Sequence, residues 1–289
     1  MGTLYLVATP IGNLEDITLR ALRLLKEVSL IAAEDTRRTR HLCAHYGIAT
    51  PLESYHAHSG PGKVEALLRR LLQGQDVAVV SDAGTPGISD PGEELVRRAV
   101  AAGVPVVPIP GPNAALAALT ASGLPTASFR FLGFLPARSG PRAAALQRLA
   151  EAQETLVLYE APHRLRKTLA AMIAAWGPDR PLVVGRELTK KFEEFVRGTL
   201  AEVAAHFDAT EPRGEFCLVV APASACGTGV LPDSASVETA DLRECLRELL
   251  AQGASVREAA RQVAGALGVS RREAYRVALQ LKAEHGGEE

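Results

Sequence analysis

The stretch that decides the fold runs Val77-Ala78-Val79-Val80-Ser81-Asp82-Ala83-Gly84-Thr85-Pro86-Gly87-Ile88-Ser89-Asp90-Pro91-Gly92. A short apolar run ends abruptly in a loop rich in glycine, proline and aspartate, and a helix is predicted to begin at Glu93. In open α/β sheets, ligands bind beyond the carboxyl ends of the strands, where such loops lie. Glycines let the backbone approach a ligand closely, and prolines hold the shape of the loop. The stretch therefore predicts a ligand-binding loop. The alternative is a structural turn with Asx caps.

The same alternation of short apolar runs and amphipathic segments extends through the first third of the chain. The predicted strands are 4–8, 30–33, 77–80 and 104–108, and the predicted helices are 19–26, 39–46, 63–73 and 114–119. Continuous apolar strands that are separated by helices imply a parallel sheet covered on both faces. The sequence therefore predicts an α/β fold.

A second α/β block follows, with strands predicted near 155–159, 182–186 and 216–220. A segment rich in Ala, Ser, Gly and Pro then reads as a linker, and the remainder of the chain has a helical pattern. The predicted organisation is an N-terminal α/β domain (1–120), a second α/β domain (121–224), a linker (225–236) and a small helical domain (237–289).

Composition excludes several classes of protein. The chain has 289 residues, is 47% hydrophobic and carries a formal net charge of -1, which excludes disorder and gives no global signal for nucleic acid. The four cysteines are scattered, so neither a disulfide framework nor a zinc ribbon is indicated. We predict no metal site, although His41 and His45 lie one helical turn apart with Cys43 between them. The chain shows no signal-peptide layout and no apolar run that could span a bilayer, so we expect a soluble cytoplasmic protein without a membrane partner.

Further polar loops follow the other predicted strands. They cover residues 8–14, 34–37, 108–113, 159–164 and 186–191. If the strands of each block are parallel, these loops meet at one edge and form a cleft of small and polar residues. The chain has no GxGxxG after its first strand, no Walker A loop and no GxSxG elbow. Dinucleotide binding, P-loop chemistry and hydrolase chemistry are therefore disfavoured.

Six segments carry a resemblance to a known family. They are Leu4-Tyr5-Leu6-Val7-Ala8-Thr9-Pro10-Ile11-Gly12-Asn13-Leu14-Glu15-Asp16, Ala33-Glu34-Asp35-Thr36-Arg37, residues 81–92, Ile109-Pro110-Gly111-Pro112-Asn113-Ala114, Tyr159-Glu160-Ala161-Pro162-His163-Arg164 and Gly185-Arg186-Glu187-Leu188-Thr189-Lys190. Together they closely resemble the small-subunit ribosomal RNA (cytidine-2′-O)-methyltransferase I family, within the tetrapyrrole-methylase-like superfamily. The resemblance covers about residues 3 to 222 plus a helical tail.

The resemblance implies two α/β domains of the tetrapyrrole methylase type, with S-adenosylmethionine in the cleft between them, and a homodimer. It implies methylation of the 2′-hydroxyl of a cytidine in 16S ribosomal RNA, either as naked RNA or in the 30S subunit. The implied donor contacts are Pro10, Gly84, Thr85, Ile88, Asn113, Ala114, Tyr159, Glu160 and Phe216. Thr85 stands where the superfamily's Gly-Asp-Pro loop has aspartate. We therefore expect backbone contacts in this loop, with Asp82 and Asp90 holding its shape.

A methyl transfer to a ribose hydroxyl benefits from a general base, because the hydroxyl is a poor nucleophile until its proton is removed. The candidates are Glu187, Lys190, Glu34 and Asp35. Lys190 would qualify if Lys191 and Arg186 lower the pKa of its ammonium. The alternative for Glu187 and Lys190 is a salt-bridged surface pair.

Local basic clusters indicate where RNA would bind. Residues 128–150 contain arginines and phenylalanines but no acidic residue, a composition that suits single-stranded RNA. The alternative buries at least one of Phe129, Phe131 and Phe134 on the core face of a strand. The predicted RNA contacts are Arg37, Arg38, Arg130, Arg138, Arg142, Arg164, Arg271 and Arg272.

The C-terminal tail has a helix-turn-helix pattern around a Leu-Gly-Val-Ser turn at 267–270. Arg271 and Arg272 favour an RNA contact, but the near-balance of acidic and basic residues leaves a packing or dimer element equally open. Two rival functions remain. A tetrapyrrole C-methyltransferase would need an acidic or porphyrin-sized cleft, and a metabolite-sensing nucleic-acid-binding regulator would need a strongly basic tail.

Overall fold

The computed structural model describes residues 1–56, 59–90, 92–225, 245–247, 249–250, 254–267, 274–279 and 281. Both sheets and their helices belong to one compact unit, and the described residues from Cys245 onward belong to a second. The predicted linker lies outside the described residues except for Ala225, as do the predicted RNA contacts Arg271 and Arg272.

The first sheet is entirely parallel, with strand order β3-β2-β4-β1-β5. Its strands are β1 (Leu4–Val7), β2 (Leu30–Ala33), β3 (Leu52–Ser54), β4 (Val77–Val80) and β5 (Val106–Ile109). Its helices are α1 (Leu19–Glu27), α2 (Thr36–His45), α3 (Pro61–Leu72), α4 (Glu93–Ala101) and α5 (Ala114–Ser122). Every residue of β2 and β4 is buried, which explains their continuous apolar sequence and confirms the predicted α/β sheet. The short edge strand β3 has polar residues at two of its three positions, so the sequence pattern did not predict a strand there.

The second sheet is mixed, with strand order β6-β7-β10-β8-β9. Its strands are β6 (Phe129–Phe134), β7 (Thr155–Glu160), β8 (Pro181–Arg186), β9 (Glu194–Thr199) and β10 (Phe216–Val220). Its helices are α6 (Ser139–Arg148), α7 (Pro162–Trp176) and α8 (Leu200–Ala209). Only β6 and β7 pair in parallel, so the expectation of parallel strands was wrong for this block. Strand β10 is buried on both faces, and such a run reads the same in either direction.

The loops of the second sheet nevertheless meet at one edge. Phe216, at the start of β10, pairs with Glu160 at the end of β7 and with Arg186 at the end of β8. Because β10 runs antiparallel between β7 and β8, the carboxyl ends of those two strands lie on either side of its amino end. The sheet thus brings its functional loops together through an alternation of strand directions that the sequence did not predict.

The C-terminal unit has a small apolar core of its own. Helix α9 (Val256–Leu267) and the helical residues 245–247 and 274–279 contribute to it. The buried residues are Leu246, Ala259, Ala260, Val263, Ala274, Val277, Ala278 and Leu281. This agrees with the predicted all-helical tail. In the part of the chain that the structure describes, no helix is both long and apolar enough to cross a membrane.

Candidate active site

A cavity of about 320 Å³ lies where the strand-end loops of the two sheets face each other. Its volume is within the range of about 300–1,000 Å³ that small-molecule sites have. The first sheet contributes Ile11, Glu34, Arg38, most of the loop between β4 and Asp90, Asn113 and Ala114. The second sheet contributes Phe134, Tyr159, Glu160, Gly185, Leu188, Glu215, Phe216 and Cys217. We call residues 81–90 the β4 loop.

Hydrogen bonds tie the β4 loop to the loops that follow β1 and β5. Thr9 and Gly84 exchange two backbone hydrogen bonds of 2.9 Å. The Thr85 hydroxyl donates to the Pro112 carbonyl at 3.2 Å and accepts from the Asn113 side-chain amide at 3.3 Å. The wall is therefore rigid, and the threonine that replaces the superfamily's aspartate serves as a bridge between two loops.

Most of the predicted donor contacts lie on this cavity. Those that line it are Gly84, Thr85, Ile88, Asn113, Ala114, Tyr159, Glu160 and Phe216. Pro10 is not among the described residues that do so, and its neighbour Ile11 is. Sequence reasoning assigned Phe134 to RNA or to a core and did not single out Leu188 as a cavity residue, because an apolar residue at a strand end looks the same whether it packs in a core or against a ligand.

Tyr159 anchors the wall that the second sheet provides. Its hydroxyl accepts a hydrogen bond of 3.2 Å from the backbone N–H of Ala115, and its ring packs edge-on against Phe131 at 5.0 Å. Burial raises the pKa of Tyr159 to about 12, and the nearby thiol of Cys217 adds to the shift. Phe131 is partly buried, whereas Phe129 and Phe134 are exposed, so none of the three rings is fully buried as the core alternative requires.

Glu160 lies at the end of β7 with its side chain fully buried. Its carboxylate accepts hydrogen bonds from the Thr168 hydroxyl at 2.6 Å and from the Ala161 backbone N–H at 2.9 Å, and it forms an ion pair of 3.1 Å with Arg164. Arg164 also donates to the Leu135 carbonyl. These contacts satisfy the buried charge of Glu160 and leave Arg164 committed to the protein interior.

Three carboxylates cluster on the first-sheet side of the cavity: those of Glu34, Asp82 and Asp90. Asp82 accepts from the Asp35 backbone N–H at 2.8 Å and lies 3.7 Å from the guanidinium of Arg38, and Glu34 accepts from the Asp82 backbone N–H at 3.3 Å. Burial raises the pKa of Asp90 to about 6, and the charges of Glu34 and Asp82 add to that rise against a hydrogen bond from Ser81. Sequence reasoning assigned Asp82 and Asp90 to the shape of the loop and missed their place on the cavity wall.

The candidate bases Glu187 and Lys190 occupy the turn between β8 and β9 (residues 187–193, the β8–β9 loop), and neither is among the described residues that line the cavity. The Lys190 ammonium lies 2.8 Å from Glu187 and 2.9 Å from Glu215. Burial opposes the charge on Lys190, but these two carboxylates outweigh it and raise the pKa. Lys190 as a base required a lowered pKa, so the structure contradicts that condition. The anticipated neighbour Arg186 pairs with Glu194 instead.

Glu187 is one of the two acidic partners of Lys190 in this cluster. Burial works to raise its pKa, but the hydrogen bond from Lys190 and that from the Glu215 backbone N–H lower it overall. The stem of Lys190 also packs on Gly12, where a Cβ would overlap it. The salt-bridged alternative therefore describes this pair better than a base does.

Asp35 has a structural contact of its own. Its carboxylate caps the N-terminus of α2 by accepting from the Arg37 backbone N–H at 2.8 Å, and it forms an ion pair with the Arg37 guanidinium at 2.7 Å. These hydrogen bonds lower the pKa of Asp35 to about 2. Glu34 is thus the one predicted base that lines the cavity.

The predicted RNA contacts divide into exposed and buried arginines. Arg37, Arg38, Arg130 and Arg138 are exposed, and Arg38 also lines the cavity. Arg142 is buried and donates to the Ala137 carbonyl at 3.3 Å, and Arg164 is held by Glu160. Burial of Arg142 and the ion pair of Arg164 favour structural roles for these two, and all of the predicted RNA contacts stay predictions.

Comparison with known families gives two matches. Residues 3–204 match the family model of Tetrapyrrole (Corrin/Porphyrin) Methylases, and residues 236–282 match that of the RsmI C-terminal HTH domain. The chain is 50% identical to the ribosomal RNA small subunit methyltransferase I of Synechocystis sp., over 98% of this chain and 100% of that protein. It is 47% identical to the protein of the same name from Bacillus subtilis, over 95% of this chain and 93% of that one.

Solved structures share the fold at lower identity. A uroporphyrin-III C-methyltransferase from Thermus thermophilus, complexed with S-adenosyl homocysteine, has a TM-score of 0.55 at 24% identity and covers 77% of this chain and 99% of its own. A cobalt precorrin-4 methyltransferase has a TM-score of 0.58 at 22% identity and covers 76% of this chain and 94% of its own. These likenesses show the scaffold alone.

Proposed function

The chain belongs to the ribosomal RNA small subunit methyltransferase I family, on the tetrapyrrole methylase scaffold, and we propose that it methylates the 2′-hydroxyl of a cytidine in small-subunit ribosomal RNA. Relatives that match nearly its whole length are named ribosomal RNA small subunit methyltransferase I, and this supports methylation of ribosomal RNA with S-adenosylmethionine. The position of the methyl group on the ribose is our own proposal. The observation that carries the proposed methyltransferase function is the cavity whose wall holds all the predicted donor contacts except Pro10.

S-adenosylmethionine is the methyl donor, and the residues on the cavity wall fit it. Gly84 brings the backbone to the cavity surface, Thr85 and Asn113 offer a hydroxyl and an amide, and Ile88 and Phe216 offer apolar surface. An adenosine and an amino acid group need this mixture of backbone, polar and apolar contacts. We propose that the β4 loop and the turn at Asn113 hold the donor.

The bound donor would supply a methyl group on a sulfonium, whose carbon a hydroxyl oxygen can attack in line while the thioether sulfur leaves with the electron pair of the carbon–sulfur bond. The protein's part is to align oxygen, methyl and sulfur, and positioning of this kind can contribute roughly 7–11 kcal/mol. The hydrogen-bonded β4 loop, with its links to Thr9 and Pro112, supports a fixed donor geometry. A proton acceptor within reach of the hydroxyl would lower the barrier further, because the hydroxyl is a poor nucleophile until its proton is removed.

The exposed arginines support an RNA substrate. Arg38 reaches the cavity, and Arg37 is exposed beside it on α2. Arg130 lies on β6, and Arg138 follows shortly after it. The exposed rings of Phe129 and Phe134 are close to them in sequence. We propose that Arg38 and Arg37 bind phosphates next to the target nucleotide and that the β6 segment binds flanking RNA.

The two rival functions have less support. A tetrapyrrole C-methyltransferase shares the scaffold, but the chain's relatives at 43–50% identity carry the ribosomal RNA name, and the solved tetrapyrrole enzymes are below 25% identity. A metabolite-sensing regulator would need a strongly basic tail, and the tail of this chain is not strongly basic. Three further expectations stay proposals: a homodimer, a substrate that is either naked small-subunit RNA or the 30S subunit, and a cytoplasmic location. The domain boundaries at residues 120, 224 and 236 stay proposals too.

A labelling experiment tests the function. The protein is incubated with methyl-labelled S-adenosylmethionine and with undermethylated 30S subunits, 16S ribosomal RNA or uroporphyrinogen. The RNA is then digested to nucleosides and also hydrolysed in alkali. We expect label in 2′-O-methylcytidine, which blocks alkaline cleavage at that position. Label in a base carbon, label in the porphyrin, or no transfer to any of the three substrates would refute the proposal.

A further inference from the structure

Strand β6 has an irregularity where it approaches the cavity. Phe131 pairs with Val157 and Gly133 pairs with Leu158, so Leu132 is an extra residue that has no counterpart on β7. Gly133 adopts a φ of 63°, which glycine tolerates because it has no Cβ. An extra residue of this kind changes the direction of the side chains that follow it, and it is over-represented next to active sites.

The extra residue brings Phe134 next to Tyr159. Side chains of a regular strand point alternately to opposite faces, so Phe131 and Phe134 would otherwise lie on opposite faces of β6. Both rings instead contact the ring of Tyr159, at centroid distances of 5.0 and 5.7 Å. Phe134 lines the cavity, whereas Phe129 at the start of the same strand is not among the described residues that do.

Phe134 lies on the open part of the cavity wall. It is 53% exposed, and Ile88 is 40% exposed; among the described residues of the wall, these are the two exposed large apolar side chains. Phe216 and Cys217 line the same cavity and are only 3% exposed. The wall therefore passes from a buried interior to an open apolar rim. A group that belongs to an RNA chain enters from solvent and reaches this rim first.

The proposed reaction brings the base of the target nucleotide to the rim. A ribose carries its base on C1′, the neighbour of the C2′ carbon that bears the reacting hydroxyl. A hydroxyl that attacks a donor held in the cavity therefore carries its own base to the cavity mouth. Proteins that bind single-stranded RNA hold such unstacked bases on aromatic side chains. Arg38, which also lines the cavity, offers a positive charge for the adjacent phosphate.

We propose that the base of the target nucleotide stacks on the Phe134 ring while the ribose hydroxyl of that nucleotide reacts in the cavity. This inference rests on the proposed function. It separates Phe134, which would bind the target base, from the rest of the β6 segment, which would contact flanking RNA. Because an aromatic ring recognises the π-face that every base has, Phe134 holds the nucleotide in place without reading its identity.

The test is a cycle of changes in this ring and in the base. The target position is located by its block to alkaline cleavage. We then measure kcat/KM at saturating donor for RNA with the target cytidine and for the same RNA with an abasic ribose there, which keeps the 2′-hydroxyl. If only 30S subunits are substrates, both RNAs are assembled into them. Phe134→Ala is compared with Phe129→Ala, a matched change at a residue of the same strand that is 43% exposed. Calorimetry measures S-adenosylhomocysteine binding.

On the cytidine substrate, Phe134→Ala should lower kcat/KM by roughly 10-fold to 100-fold, as expected for one lost contact between a base and an aromatic ring. On the abasic substrate, Phe134→Ala and the wild type should differ by less than about 3-fold, because the base that the ring holds is missing. Phe134→Tyr keeps a ring and should restore most of the activity on cytidine. Phe129→Ala should change the rates on both substrates by the same factor. S-adenosylhomocysteine binding should stay within about 3-fold of wild type in all variants.

Three results would overturn the proposal: wild-type rates for Phe134→Ala, equal losses on the two substrates, or a loss of S-adenosylhomocysteine binding, which would show that the ring holds the donor. If the wild type labels the ribose in any of these cases, the proposed function stands and only the role of Phe134 is wrong. If the wild type labels no ribose, the function and this inference fall together.

Discussion

The β4 loop and the β8–β9 loop contain the same kinds of residue and use them differently. Both follow a buried strand, both carry carboxylates, and both hold non-glycine residues at positive φ: Ser89 in the first, Glu187 and Thr189 in the second. In the β8–β9 loop, Lys190 joins Glu187 and Glu215, and the charges stabilise one another. In the β4 loop, burial is the main cause of the raised pKa of Asp90, and the negative charges of Glu34 and Asp82 add to the rise. The comparison teaches that burial and the sign of the neighbouring charges, rather than the number of charged residues, decide how a carboxylate titrates.

The largest effect on ligand binding should come from adding a side chain at a glycine of the β4 loop. Gly84 and Gly87 have nearly the same φ, 85° and 82°. A Cβ on Gly84 would lie 3.4 Å from Ile11 Cγ2 and 3.7 Å from the Pro112 carbonyl, whereas a Cβ on Gly87 would meet nothing within 4 Å. Gly84→Val should therefore weaken S-adenosylhomocysteine binding by about 100-fold, a change of about 2.7 kcal/mol. Calorimetric titration measures it.

Gly87→Val is the matched control for this prediction. Both substitutions incur the same kind of backbone strain, of order 1–3 kcal/mol in stability, because valine rarely adopts a positive φ. We expect Gly87→Val to bind the ligand within about 3-fold of wild type. Equal losses of binding in the two variants would mean that loop strain, rather than contact with the donor, governs affinity. The β4 loop would then resemble the β8–β9 loop in being structural.

The next effect compares a carboxylate from each region. Glu34→Gln keeps an acceptor for the Asp82 backbone N–H but removes a negative charge that faces Asp90. The pKa of Asp90 should therefore fall from about 6, because one like charge that faces it is gone. Glu187→Gln should leave that pKa in place, because Glu187 is not among the groups that shift Asp90. An NMR titration of the Asp90 carboxyl carbon in each variant is the measurement.

Two outcomes would break this part of the comparison. If Glu34→Gln leaves the pKa of Asp90 unchanged, burial without the charge of Glu34 accounts for its rise. If Glu187→Gln shifts the pKa of Asp90, the charges of the β8–β9 loop act on the cavity in spite of their salt bridges.

The sequence predicted the residues of the cavity wall better than the ionisation of its carboxylates, for a physical reason. Gly84, Thr85 and Asn113 belong to turns whose glycine, proline and Asx residues reveal the local geometry. The all-parallel first sheet was equally predictable, because buried strands such as β2 and β4 are continuously apolar.

Features that depend on the packing of distant segments could not be predicted. The direction of β10 depends on its two neighbours, and its apolar run fits either direction. The burial of Arg142 and the ion pair between Arg164 and Glu160 arise only in the folded chain, so charge alone predicted both arginines as RNA contacts. The pKa of Asp90 depends on its burial and on Glu34, which lies far from it in sequence, so residue type alone could not predict it.

The smallest effect compares a cation from each region. Arg38 is 66% exposed at its side chain and lies 3.7 Å from Asp82, whereas Lys190 is 28% exposed and contacts two carboxylates. Arg38→Gln should weaken RNA binding by about 5-fold at 0.1 M salt and reduce the slope of log K against log salt by about 1, as expected for one lost phosphate contact. Lys190→Met should leave that slope unchanged. Filter binding across a salt series gives both values.

Lys190→Met should instead lower the free energy of unfolding by about 1 kcal/mol at pH 7. The pKa of Glu187 is lowered from its ordinary value of 4.5, so the stabilisation is present above that value and is lost as pH falls through the folded pKa. The pKa of Lys190 is raised, so the stabilisation also fades at alkaline pH, as the ammonium deprotonates. Urea unfolding at pH 7 and pH 3 should therefore show a difference from wild type that shrinks in acid. A reduced salt slope for Lys190→Met, with unchanged stability, would place the β8–β9 loop on the RNA and make the two regions partners in binding.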